Sequence, residues 1–85
     1  MDNINHPSHY NSGKIETYDY IEDQGLNYAM GNVIKYVSRA GKKKAPGKSL
    51  DASALEDLKK ARWYLDKEIA RREAKINENI SRSTT

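Results

Sequence analysis

One apolar stripe constrains this chain more than any other feature. Leu55, Leu58, Ala61, Leu65, Ile69 and Ile76 follow one another at steps of three, four or seven residues. At that period, side chains return to the same side of an α-helix. No segment of useful length alternates with the period of two that a half-buried strand needs. The expected fold is therefore all-α: a small three-helix domain with an extended N-terminal arm and a long C-terminal helix.

The rest of the chain can be divided on the same grounds. Residues 1–13 read as an arm, because Pro7 biases His6 away from helix and Asn11-Ser12-Gly13 is turn chemistry. Ile15 to Gln24 reads as a short helix closed by Gly25. Leu26, Met30, Val33, Ile34 and Val37 form a second stripe, with Gly41 placed to cap that helix. Lys42 to Lys48 is a basic connector broken by Pro46-Gly47. Ser53 and Glu56 have the spacing of a capping box and would open the third helix. Residues 77–85 lack periodicity and are expected to fray, leaving one domain over residues 1–76.

At 85 residues, 36% hydrophobic and 32% charged, such a domain has a thin core. A continuous helix from Ser53 to Ile76 would span about 36 Å. A compact chain of this length has a diameter of about 26 Å. The excess predicts a homo-oligomer built on the third helix. Trp63 and Tyr64 flank the apolar stripe and are the candidate interface residues, since interfaces are enriched in both types. The chain has no cysteine, which rules out disulfides and thiolate metal sites. It also has no apolar run near the ~20 residues that span a bilayer, and its first residues do not read as a signal peptide. Its net charge of +3 suits anionic partners.

Residues 41–49, GKKKAPGKS, end like a phosphate-binding P-loop. Gly41 and Gly47 are separated by five residues, however, where the P-loop has four. The segment also follows a helix instead of a buried strand. A basic linker is the better reading. The helix before it carries more information. On a helical wheel Tyr28, Asn32, Lys35 and Arg39 fall together, opposite Leu26, Met30, Val33 and Val37. An aromatic ring, an amide and two cations one turn apart suit a phosphorylated ligand. A plain solvated face would have the same polarity. In HPSHY, His6 and His9 fall short of a zinc site, which needs at least three protein ligands. A histidine that donates to a phosphate or orders a turn is at least as good a reading.

Three stretches, HPSHYNSGKIETYDYIED, LNYAMGNVIKYVSRAGKKK and EDLKKARWYLDKEI, together resemble the SaV-like family of small bacteriophage proteins. The resemblance covers roughly residues 5–70, in the family's order and spacing. The matching motif positions are His6, His9, Tyr10, Gly13, Glu16, Asn32, Lys35, Tyr36, Arg39, Lys42, Lys43, Asp57, Lys60, Trp63 and Tyr64. One branch of the family is a phage nucleotide kinase that lacks a P-loop. The resemblance therefore implies a bacteriophage nucleotide-binding protein in the cytoplasm of the infected bacterial host. It would be either a deoxynucleoside monophosphate kinase or a nucleotide-sequestering protein directed against host defence. His6, His9, Tyr10, Asn32, Lys35, Tyr36, Arg39, Lys42 and Lys43 would bind the nucleotide. Glu16 or Asp57 would hold Mg²⁺ or act as a base if the protein is a kinase. The alternative is a phage early protein that binds nucleic acid or inhibits a host factor.

Overall fold

A computed structural model describes residues 13–83, which form three helices: α1 (Thr17–Gln24), α2 (Tyr28–Arg39) and α3 (Leu50–Ser83). Among the described residues there is no strand, as the stripes require. The expected arm lies almost wholly outside them.

Local chemistry sets each helix end. Gly25, with φ 65°, closes α1. Its N–H donates to the Glu22 carbonyl and the Leu26 N–H to that of Ile21, the bond pair of a Schellman cap. Asn27 then opens α2, its Oδ1 accepting the Met30 N–H at 2.9 Å. In the connector, Pro46 and Gly47 (φ 77°) form the centre of a turn in which the Lys48 N–H donates to the Ala45 carbonyl. Pro followed by a left-handed Gly is the signature of a type II turn.

The start of α3 differs from the expected capping box. Ser49 is the cap, its Oγ accepting the Ala52 N–H at 3.0 Å. Ser53 sits one turn inside the helix, where its Oγ accepts the Ala45 N–H at 2.9 Å and holds the connector down. Glu56 pairs with Lys48 instead of reaching back to Ser53. At the other end α3 continues to Ser83 where fraying was expected. Ile80 lies four residues after Ile76 and extends the stripe, and Glu78 pairs with Arg82 one turn on.

Packing reverses the expected sidedness of α3 and draws one polar side of α2 inward as well. α2 and α3 run antiparallel: Asn27 meets Glu68 at one end and Arg39 meets Asp57 at the other. The α3 residues buried in this contact are Ser53, Asp57, Ala61 and Glu68, with Tyr64 half-buried. Ala61 is the only apolar residue of the expected stripe among them. Leu55, Leu58, Leu65, Ile69, Ile76 and Ile80 remain 40–57% exposed. On α2, Tyr36 and Arg39 face α3, and of the expected stripe Val37 is exposed while Leu26, Met30, Val33 and Ile34 are half-buried. The reason is pairwise matching. Each buried polar side chain has a bonded partner across the contact or beside it, which makes its burial tolerable. α1 packs on α2 at Gly31, where an added Cβ would come within 3.2 Å of Ile21 Cγ2.

The molecule is elongated. Its longest extent is 56 Å and its radius of gyration 16.7 Å, against about 12 Å for a compact chain of this length. With α2 starting opposite Glu68, the turns of α3 from Arg72 to Ser83 project past the helical hairpin.

Candidate anion-binding site

The site is built where the C-terminal half of α2 lies against the first turns of α3. Tyr36 and Tyr64 stack across the two helices, with centroids 6.0 Å apart and planes 17° apart. Three cations converge on the Tyr36 ring. Lys35 Nζ lies 4.7 Å from its centroid, the Arg39 guanidinium carbon 4.9 Å and Lys60 Nζ 5.5 Å. A ring face attracts cations, but it does not cancel their mutual repulsion.

Arg39 is already engaged. Its Nε and Nη2 both donate to Asp57 Oδ1, at 3.2 and 2.6 Å. These side chains are only 14% and 7% exposed. The helical wheel sets Arg39 opposite the apolar stripe of α2, on a face open to a ligand; here it is an internal tie between helices. Lys35, Lys43 and Lys60 take part in none of the ion pairs among the described residues. They are the cations available to a ligand.

Beside the ring is an open cleft of about 230 Å³, lined by Arg39, Lys43, Ala45, Pro46, Ser53, Glu56, Asp57 and Lys60. Its two carboxylates are offset locally, Asp57 by Arg39 and Glu56 by Lys48. The hydrogen bond and charge of Lys48 hold the Glu56 carboxyl below its usual range. Lys48, which occupies the P-loop lysine's place in the sequence, thus ties the connector to α3.

The other candidate residues fall in several places. Asn32 Nδ2 donates to the Tyr28 carbonyl of its own helix at 2.9 Å. Lys42 lies on the exposed connector. Glu16 is the N-terminal cap of α1, which packs on α2. Asp57 holds Arg39, and among the described residues no group of three or more His, Asp or Glu side chains is gathered for a metal. Tyr64 packs within the chain against Tyr28, Tyr36 and Trp63. Trp63 and Tyr28 remain exposed beside it. His6, His9 and Tyr10 lie outside the described residues.

Sequence reasoning missed Glu68 and Asn27. Glu68 is buried and accepts from Arg71, Arg72 and, more weakly in effect, Asn27, which together lower its pKa to about 2. One signal was present: Ser53, Asp57, Ala61, Tyr64 and Glu68 also recur at steps of four, four, three and four.

A profile described as "Protein of unknown function (DUF3310)" matches residues 4–66. The chain belongs to that family. The family's block takes in the Arg39–Asp57 pair, the cations around Tyr36 and the cleft, and ends before Glu68 and the projecting turns of α3. No curated protein and no solved structure matches the chain.

Proposed function

We propose that this chain binds a phosphorylated nucleotide, with its phosphates on Lys35 and Lys60 at the Tyr36 ring and on Lys43 in the adjoining cleft. The observation that carries this reading is the convergence of three cations on one ring while only Arg39 among them has a carboxylate partner. A bound phosphate would relieve that repulsion through charge-assisted hydrogen bonds. The exposed rings of Tyr28 and Trp63 offer faces on which a base could stack. The likeness of the GNVIKYVSRAGKK and DLKKARWYL stretches to the SaV-like phage proteins supports the same ligand class and a role in the infected host's cytoplasm.

Binding without catalysis is the better-supported form of this reading. A kinase would need a base or a Mg²⁺ ligand, and the candidate Asp57 is buried and held by Arg39. Sequestration asks only for the lysines and the rings.

A thermal-shift panel of nucleoside mono-, di- and triphosphates and cyclic nucleotides, with and without Mg²⁺, tests the proposal. A ligand that binds only the folded chain raises the melting temperature by mass action. Phosphorylated nucleotides should raise it and the unphosphorylated nucleosides should not. A shift produced by oligonucleotides alone, falling steeply with salt, would move the reading to nucleic acid. No shift with any member would end it.

A further inference from the structure

Among the described residues the α3 stripe buries a single position, Ala61, while its six leucines and isoleucines stand half-exposed. Their order follows a heptad. Leu55, Arg62, Ile69 and Ile76 are spaced by seven, and Leu58, Leu65, Arg72 and Asn79 each follow three residues later. This seam is displaced by roughly a third of a turn from the buried Ser53, Asp57 and Glu68 side, at 3.6 residues per turn. Val33 and Val37 are displaced in the same rotational sense from the α3-facing side of α2. In an antiparallel pair of right-handed helices, equal rotational offsets emerge on the same side, so the valines and the seam form one continuous apolar face.

We infer that this face seats a second copy of the chain, with the two α3 helices antiparallel and crossing near Arg62–Leu65. Self-complementarity selects that arrangement. A parallel, in-register pair would stack Arg62 on its own copy and Arg72 on its own copy along the seam. The antiparallel pair places Ile69 against Leu58 and Leu65 against the apolar stem of Arg62. It also sets Lys59 beside Asp66 twice along the flank away from α2, an attractive pair repeated by the twofold axis. The size is sufficient. In this register the partner's α3 covers the seam from Leu55 to Ile76, about 32 Å long and about 10 Å wide, and α2 adds about 18 Å of similar width. The footprint is about 500 Å² per chain, or about 1,000 Å² in all, the ~1,000 Å² expected of a specific interface. The interface is thus the leucine and isoleucine seam in place of Trp63 and Tyr64. This inference does not depend on the ligand.

The full chain has no cysteine, so single cysteines report geometry cleanly. Leu58→Cys and Ile69→Cys would each be made alone, mixed, and oxidised under mild conditions. The expected result is a disulfide-linked dimer from the mixture and none from either variant alone. Light scattering on the unmodified chain at tens of micromolar should give the mass of two chains. Self-linking of each variant alone would mean a parallel pair and overturn the inference. A mass of one chain, or of more than two, would also overturn it. Neither measurement requires a variant that removes the apolar face, so a failure to fold cannot mimic a negative result.

Discussion

Arg39 and Asp57 fasten the C-terminal end of α2 to the first turns of α3 through a 2.6 Å bond in a contact almost closed to solvent. Removing either partner leaves the other charge buried without its counter-ion. Arg39→Ala and Asp57→Ala are each expected to cost about 3 kcal/mol, read from chemical denaturation. The double replacement Arg39→Leu with Asp57→Leu should recover much of that loss. If Arg39→Ala unfolds like the wild type, the pair is not a structural tie.

Glu68 predicts an acid-sensitive contact. Arg71, Arg72 and Asn27 lower its folded pKa to about 2 from an ordinary value of 4.5. Because the folded value is depressed, its stabilisation is complete above pH 4.5 and is lost as pH falls from there towards 2. Melting temperatures measured across that window should fall more steeply for the wild type than for Glu68→Gln. Equal slopes would assign the acid response to other carboxylates.

Asn27 performs two tasks that one substitution separates. Its Oδ1 caps α2, and its Nδ2 donates to both Glu68 oxygens at 3.2 Å. Aspartate is as good a cap as asparagine, but it would set a second carboxylate against Glu68. Asn27→Ala should cost about 1 kcal/mol, and Asn27→Asp should do no better despite keeping the cap. A fully stable Asn27→Asp would show that the amide contact to Glu68 is dispensable.

The cap of α3 gives a further contrast. Ser49→Ala removes the acceptor for the Ala52 N–H and should cost about 1 kcal/mol. Ser53→Ala removes the acceptor of the Ala45 N–H and should release the connector, at about 1–3 kcal/mol if that donor stays buried. Amide hydrogen exchange should then quicken at Ala45 and not at Ala52. The reverse pattern would restore Ser53 as the cap.

Among the lysines, Lys60→Ala and Lys35→Ala should keep the helical spectrum and lose ten- to a hundredfold in nucleotide affinity, the weight of a charge-assisted hydrogen bond of about 1.5–3 kcal/mol. Lys48→Ala should have a smaller effect, because Lys48 is engaged with Glu56 and acts on the cleft only by offsetting that carboxylate. Calorimetry on the same nucleotide reads all three. If Lys48 alone proves critical, the P-loop-like lysine was set aside wrongly.

The sequence alone determined the helices. The 3.6-residue period, Gly25, and Pro46 with Gly47 act within a few residues of backbone, so their effects can be read without knowing any partner. Lys35, Tyr36, Arg39, Lys43 and Asp57 were also legible as candidates from their spacing and motif. Only the tertiary structure decided which side of each helix faces inward. The apolar stripe of α3 and its Ser53, Asp57, Tyr64 and Glu68 side share the same period. The second side wins the contact with α2 because Asn27 and Arg39 satisfy its buried carboxylates. That match joins residues 41 and 18 positions apart in the chain, a relation that no local pattern contains. The same choice turned Arg39 from a surface cation into a structural tie, brought Lys60 to Tyr36, and left the leucines and isoleucines facing outward.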